Sequence, residues 1–267
     1  MAGPNEPGTP AVSPERPPAP PGALAVALTL GRRELAAYFT SPLAYVFITA
    51  FLALSALLTF QLGGFFARGQ ADLMPFFRFH PWLYLVLVPA VGMRLWAEER
   101  RSGTLELLLS LPVTSAQLVA AKFAAGWLFL GLALALTAPM WIAVAYLGAP
   151  DHGAILAGYL GSWLMAGGYL ALAACLSAAT QNQVVAFVLA LAACFALLAG
   201  GSELGQGLLS EALPAGLADA LAQLSVLSRF AGFQQGVVAL PDVVFFVSLI
   251  ACALVANTAL VELKRDA

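Results

Sequence analysis

The chain has 267 residues, of which 61% are hydrophobic and only 10% are charged. Soluble domains carry about 25% charged residues, so soluble globular, disordered, collagen-like and nucleic-acid-binding proteins are poor matches to this composition. The 12 Lys and Arg residues against 14 Asp and Glu give a formal net charge of −2, which indicates no nucleic-acid partner and leaves a lipid-embedded protein as the best fit.

The N-terminal region divides into two parts. Residues 1–22 are proline-rich and lack apolar periodicity, so we expect a disordered or polyproline-like tail and no signal peptide there. Residues 23–41 combine an apolar face with a cationic edge that includes Arg32 and Arg33, with Glu34 on its flank. This pattern predicts an amphipathic helix in the plane of the cytoplasmic membrane surface, interrupted at the Ser41-Pro42 step. The alternative is a backward extension of the first membrane helix.

Residues 42–267 are predicted to form one all-α membrane domain of six transmembrane helices. A helical crossing needs about 20 apolar residues at a rise of ~1.5 Å each. The uncharged stretch from 153 to 202 is too long for one crossing, and its polar interruption at 180–183 divides it in two. The predicted spans are residues 43–66, 79–97 (kinked at Pro89), 118–147, 155–178, 184–202 and 243–261.

The distribution of positive charge predicts the orientation of these spans. Nine of the 12 Lys and Arg residues fall on the side of the termini and three on the opposite side, which places both termini in the cytoplasm. The inner set is Arg16, Arg32, Arg33, Arg94, Arg100, Arg101, Lys122, Lys264 and Arg265, and the outer set is Arg68, Arg78 and Arg229. The outward-facing segment 203–242 is expected to form short helices at the outer leaflet, broken at Pro214 and near Gly232.

The groups that membrane enzymes and ion pumps require are missing from the sequence. No Asp, Glu or His lies near the centre of a predicted span, so neither an acid–base pair nor a proton relay is expected. His80 and His152 lie far apart, and the cysteines lack the spacing of a metal or disulfide site: Cys175, Cys194 and Cys252. No GxxxxGK[ST] loop is present, so any ATP must be bound by another chain.

The loop between the second and third predicted spans, residues 98–112, is the most informative segment. The charged residues 98–101 end the span at the aqueous boundary, and Gly103 allows a left-handed helix stop. Thr104 is a candidate N-cap, and Glu106 lies in the first turn of the short helix that follows. Pro112 ends that helix.

This short helix carries five leucines within seven residues: Leu105, Leu107, Leu108, Leu109 and Leu111. So short a helix cannot bury all of them against the bilayer, which favours insertion of some into a groove on a partner. An amphipathic turn on the lipid headgroups explains the pattern equally well. Glu98 and Glu99 are expected either to bond loop backbone or partner residues, or only to mark the boundary of the span.

The order of these segments resembles the permease subunits of ABC exporters of the second exporter type, in particular the gliding-motility-type permeases and the related nitrous-oxide-reductase maturation permeases. The most specific matches are the loop pattern E-E-R-x-x-G-T-x-E-x-L-L-x-x-P and the turn at 180–187. The loop pattern corresponds to Glu98, Glu99, Arg100, Gly103, Thr104, Glu106, Leu108, Leu109 and Pro112, and the other matching stretches are 41–47, 89–94, 158–161 and 236–242. Arg229 departs from the family pattern, in which histidine is expected.

The resemblance implies a division of labour. The loop 98–112, with Leu105 among its contact residues, would be a coupling helix in a cleft of a cytoplasmic ABC ATPase, which would bind ATP and Mg²⁺. The helix 23–41 would flank it, with Arg32, Arg33 and Glu34 near ATPase and membrane lipid. A second permease copy, giving a homodimer, is expected, and an auxiliary membrane subunit with an outward-facing domain is a further candidate partner. The resemblance also implies the bacterial inner membrane as the location.

Two readings of the function remain open at this stage. The first is a permease, itself without enzymatic activity, that exports or moves a cargo that the sequence does not identify. An uncharged lining suits a lipid-like cargo better than a free ion. The second is a non-transporting membrane anchor or scaffold of a motility or secretion complex, which the composition also allows.

Overall fold

The computed structural model describes residues 23–101, 103, 113–200, 216 and 224–265, with side chains from residue 29 to 263 within these ranges. Every regular element of this part of the chain is helical. The predicted tail 1–22, the leucine-rich part of the loop 98–112 and most of the predicted segment 203–242 lie outside the described residues. We number the described helices in chain order: α1 (Ala23–Thr40), α2 (Pro42–Leu57, continued by a π-helical turn over Leu58–Leu62), α3 (Met74–Arg78), α4 (His80–Gly92), α5 (Arg94–Arg101), α6 (Ser115–Ala135), α7 (Ala138–Leu147), α8 (His152–Ala179), α9 (Gln183–Ala199), α10 (Val226–Gln234) and α11 (Leu240–Arg265).

Four helical segments in the described residues are long and apolar enough to cross a membrane. They are Pro42–Leu62, Ser115–Leu147, His152–Ala179 and Leu240–Leu263, and they match the first, third, fourth and sixth predicted spans. The protein is therefore an all-helical membrane protein with four candidate spans, and the complete set of six stays a prediction. The fifth predicted span corresponds to α9, which has 17 residues, and the second corresponds to α4 and α5 together.

The second predicted span is interrupted at Met93, and not only kinked at Pro89. Pro89 lies inside α4, which ends at Gly92, and α5 begins at Arg94. Regular α-helical bonding would join the amides of Trp96 and Ala97 to carbonyls four residues earlier. Both amides instead bond the hydroxyl of a distant residue, which is described with the site below.

Helix α8 is the central helix of the bundle. Within its most hydrophobic window 72% of the residues are buried, against 17% for α11, so α8 forms the core and α11 lies at the periphery. Small residues let neighbouring helices approach α8 closely. A Cβ on Gly161 would lie 2.5 Å from Cγ of Phe233 in α10, so no larger residue fits there unless α10 shifts. This contact seats α10 against the first half of α8.

Helix α10 occupies the described end of the predicted outward-facing segment. Its apolar face consists of Val226, Phe230 and Phe233, all fully buried. The helix runs through Gly232 and ends at Gln234, so the predicted break near Gly232 falls slightly later. The reason is Gly236, whose φ of +83° reverses the chain and which packs on Ala154 too closely for a side chain.

The predicted discontinuity at the Ser41-Pro42 step is confirmed. Helix α1 ends at Thr40, and the Ser41 side chain caps α2 by accepting from the amide of Leu43. Helix α1 packs beside α6, where the Tyr38 ring stacks on Phe129 with centroids 4.9 Å apart. Helical structure is therefore interrupted at Ser41. The in-plane position of α1 stays a prediction.

Candidate functional site

Charged residues from three helices converge at the end of the bundle where residues 101–114 connect α5 to α6, which we call the loop end. They line a cavity of about 340 Å³ between α1, the start of α2, α5 and α6. We call these charged residues the polar junction: Glu34, Arg94, Glu98, Glu99 and Lys122. The junction joins helices that are far apart in sequence.

Lys122 is the central residue of the polar junction. Its Nζ donates to Oε2 of Glu34 in α1 at 3.1 Å and to Oε1 of Glu99 in α5 at 2.9 Å. Only 3% of the Lys122 side chain is exposed, and the ammonium also lies 5.7 Å from the centroid of the Trp96 ring. Two carboxylates and an aromatic face thus compensate a buried charge that would otherwise be costly. The ammonium ties α1, α5 and α6 together.

Arg94 and Glu98 form the second ion pair of the junction, one turn apart in α5. The guanidinium donates from Nε to Oε2 at 2.6 Å and from Nη2 to Oε1 at 2.8 Å, a bidentate geometry that fixes both side chains. Arg94 also reaches the hydroxyl of Ser41 at the α1–α2 break, at 3.4 Å. This pair orients the first turn of α5 towards the start of α2.

Tyr38 closes the junction on the side of α1. Burial raises the pKa of the Tyr38 phenol well above its ordinary value, and the neighbouring Glu34 carboxylate raises it further. The side chain therefore stays neutral at physiological pH and contributes a polar but uncharged wall to the cavity.

The hydroxyl of Ser177 in α8 bridges the break between α4 and α5. It accepts from the amides of Trp96 and Ala97 at 3.2 and 3.1 Å and donates to the carbonyl of Met93 at 2.8 Å. One buried side chain thus satisfies three backbone groups that a regular helix would satisfy internally. The bridge attaches the start of α5 to the core helix.

Arg100 attaches the other end of α5 to the same helix. Its Nη2 donates to the carbonyl of Ala178 at 2.5 Å, and its Nη1 donates to the carbonyl of Thr180 at 3.3 Å. A cation at a helix C-terminus satisfies free carbonyls and complements the helix dipole. Helix α5, which leads into the loop, is therefore fixed to α8 at both of its ends.

The structure places the predicted contact residues in two groups. Glu98, Glu99 and Arg100 bond within the chain as described, and Gly103 has the predicted left-handed conformation with φ of +71°. The remaining predicted ATPase contacts lie outside the described residues: Thr104, Leu105, Glu106, Leu108, Leu109 and Pro112.

The three predicted residues of the interfacial helix also differ in their exposure. Arg32 and Arg33 are exposed, whereas Glu34 turns inwards to Lys122. The cationic edge of α1 is therefore available to a partner or to lipid, and the acidic residue beside it belongs to the junction.

Sequence reasoning assigned no role to Lys122 or Ser177. A signal for Lys122 was present, because a lone cation inside an apolar run must find a partner when it is buried. Ser177 gave no signal, since one serine in an Ala-rich helix is unremarkable until its neighbours are known.

We expect Ser177→Ala to destabilise the protein by about 1–3 kcal/mol, because the amides of Trp96 and Ala97 would lose their acceptor in a buried site. Thermal unfolding of the detergent-purified protein would measure the effect. Ser248→Ala is the matched control, since Ser248 is exposed on α11 and its hydroxyl donates to the carbonyl of Phe245 in the same helix. Equal stability of the two variants would show that the bridge does not support the break.

One comparison with known proteins identifies the family. Residues 83–265 match the family described as ABC-2 family transporter protein, and no curated protein matches the chain. The matched region runs from α4 to the end of α11 and includes α5, the loop, Lys122 and the central helix. It covers well over half of the chain. The protein therefore belongs to the ABC-2 transporter family, whose members are transmembrane components of ABC transporters and work with a separate ATPase subunit.

Proposed function

We propose that this chain is the permease subunit of an ATP-driven ABC transporter, and that ATP hydrolysis by a separate cytoplasmic ATPase moves a cargo outwards through it. The observation that carries this proposal is the construction of the loop end. Helix α5 leads into the loop 98–112 and is joined to α8, α6 and α1 by buried polar contacts. A displacement of a loop attached in this way by a partner would be transmitted to the whole bundle.

The family supports a partner ATPase, and the charge on α1 supports a second contact beside the loop. Arg32 and Arg33 are exposed on α1, which packs against the α6 helix that follows the loop. Their guanidinium groups suit acidic residues of an ATPase or the phosphates of anionic lipid. ATP and Mg²⁺ would be bound entirely by the partner.

The six-span topology is part of the proposal. Helices α4 and α5 pack against α8 as one interrupted crossing, and α9 packs beside both α8 and α4. Together with the four candidate spans these two crossings would make six, so both termini would lie on one side of the membrane. The excess of Lys and Arg on that side supports the cytoplasm, and the family resemblance supports the bacterial inner membrane. Reporter fusions at the two termini would test this topology, and fusions reporting opposite sides would contradict it.

Two copies of the chain would complete the pathway, because a twofold assembly is the simplest closed arrangement of identical subunits. The narrower resemblance to gliding-motility-type permeases supports a cargo that is exported or mechanically moved, with an auxiliary outward-facing subunit. A lipid-like cargo suits best the predicted spans, whose centres contain no Asp, Glu or His.

The proposal is tested through the leucine-rich loop. We expect Leu108→Asp to reduce copurification of an ABC ATPase at least ~10-fold, because loss of a buried anchor residue typically costs ~2 kcal/mol or more of binding free energy. The measurement is affinity purification in mild detergent with mass-spectrometric identification of all copurifying chains.

Ser110→Asp is the matched control, because it adds the same charge to the same loop without removing a leucine. Membrane insertion of both variants is checked by extraction with detergent but not with alkaline carbonate. Full ATPase recovery with Leu108→Asp, or no ATPase with the unmodified chain, would contradict the proposed function.

A further inference from the structure

We propose that Lys122 is a positioning residue that locks α5 to α1 and α6, so that a displacement of the loop moves these three helices as one body. The inference rests on the proposed function and adds to it the residue that transmits the displacement of the loop by the ATPase to α1 and α6. Lys122 lies two turns into α6, the helix that follows the loop, and its ammonium bonds Glu99 of α5, the helix that leads into the loop. The two ends of the loop are thus tied to each other by one ammonium group.

The break at Met93 is the reason that such a tie is needed. Helix α5 has only eight residues and is separated from α4, so the backbone alone does not oblige it to move with the rest of the second crossing. Ser177 and Arg100 attach α5 on the side of α8. On the opposite side, the contact of Glu99 with Lys122 is the direct polar link from α5 to α6 that the described residues show.

The geometry requires a cation at position 122 and not merely a long apolar side chain. Glu34 and Glu99 both point at the ammonium, and their carboxylates would repel each other without it. The ammonium has three donors, of which two serve these carboxylates while its charge faces the ring of Trp96. Helix α1 is held to α5 through this charge, since Glu34 and Glu99 have the same sign.

The polar cavity beside Lys122 provides a conservative rescue variant. At about 340 Å³ it has room for the larger guanidinium group, so Lys122→Arg is expected to keep both ion pairs. Lys122→Met keeps the length of the side chain and removes the charge. A third variant, Glu34→Gln with Lys122→Met and Glu99→Gln, removes all three charges together and thereby the repulsion that could unfold the single variant.

The test uses the complex of the full chain with its copurified ATPase in lipid nanodiscs. Spin labels are placed at the exposed positions Ala36 on α1 and Arg101 on α5, in a background in which the three cysteines are replaced by alanine: Cys175, Cys194 and Cys252. Pulsed electron paramagnetic resonance measures the distance between the labels without nucleotide and with ATP plus orthovanadate. A second pair, Arg101 and Val255 on α11, reports motion of α5 relative to the periphery.

With Lys122 or Lys122→Arg we expect the second pair to shift on addition of nucleotide while the α1–α5 distance stays constant. With Lys122→Met and with the charge-free triple variant, we expect the α1–α5 distance to shift by more than the width of the unmodified distribution, although the ATPase still copurifies. A constant α1–α5 distance in the triple variant would overturn the inference, because packing alone would then hold the helices together.

The failure of this inference and the failure of the proposed function give different results. If the unmodified chain recovers no ATPase, the proposed function fails, and the inference falls with it because no push reaches the loop. If the ATPase is recovered and nucleotide moves α5, but the charge-free variant behaves like the unmodified chain, only the role of Lys122 is refuted.

Discussion

Gly161→Leu is expected to lower the free energy of unfolding by at least ~3 kcal/mol, the upper end of the usual cost of overpacking a core. The leucine side chain would occupy the space of the Phe233 ring, since even a Cβ at Gly161 would lie 2.5 Å from Cγ of that ring. Both positions are buried, so neither the new leucine side chain nor the Phe233 ring can rotate into open space without displacing α10. Unfolding of the purified protein, followed by tryptophan fluorescence during an SDS titration, would measure the change.

The double variant Gly161→Leu with Phe233→Ala tests the cause of this loss. Removing the ring opens the space that the leucine needs. We therefore expect the double variant to lose less unfolding free energy than the sum of the losses of the two single variants.

Gly161→Ala and Gly31→Ala form a matched pair, because a Cβ on Gly31 has no neighbour closer than 4.0 Å. Alanine usually stabilises a helix relative to glycine by about 0.5–1 kcal/mol, so only Gly31→Ala should be neutral or stabilising. Equal effects at both sites would refute the close approach of α8 and α10.

Lys122→Met is expected to cost about 3 kcal/mol, within the range of roughly 3–5 kcal/mol found when one partner of a buried ion pair is removed. The lower end applies because 17% of the Glu34 side chain and 23% of the Glu99 side chain are exposed. Water therefore partly solvates the two carboxylates when the lysine is removed. The same SDS titration would measure the loss.

Removing all three charges should restore most of that stability, since neutral groups of similar shape need no compensating cation. Arg33→Met is the control for the loss of a positive charge, because Arg33 is exposed on α1, and we expect an effect within about 0.5 kcal/mol. A charge-free triple variant as unstable as Lys122→Met would show that the methylene packing of the lysine, and not its charge pairing, supports the loop end.

Features that depend on neighbours in sequence were predictable. The proline at position 42 and the serine before it predict the separation of α1 from α2, because the residue before a proline avoids helical backbone angles. Gly103 was predicted to end α5 in a left-handed conformation, and its φ of +71° confirms this. Four of the six predicted spans correspond to helices long enough to cross a membrane, since length and hydropathy decide that property locally.

Features that depend on distant residues were not predictable. The sequence favoured a kink at Pro89, but the chain breaks at Met93 because Ser177, 81 residues after Trp96, supplies the hydrogen bonds that the helix loses. The prediction that Glu98 and Glu99 bond the loop or a partner, or mark the boundary of the span, stays a prediction. The bond of Glu98 to Arg94 follows the local i,i+4 spacing within α5, whereas the bond of Glu99 to Lys122 follows from the packing of α5 beside α6, which no local pattern specifies.

The sequence by itself determined that the protein is helical and lies in a membrane, where several of its helices begin and end, and which loop is rich in leucine. These properties follow from composition, spacing and backbone sterics within a few residues. Only the tertiary structure decided that α8 is the central helix and that Lys122 joins Glu34, 88 residues earlier, to Glu99. A buried charge takes the partners that helix packing brings within about 3 Å, and helix packing is set by the shapes of many side chains together.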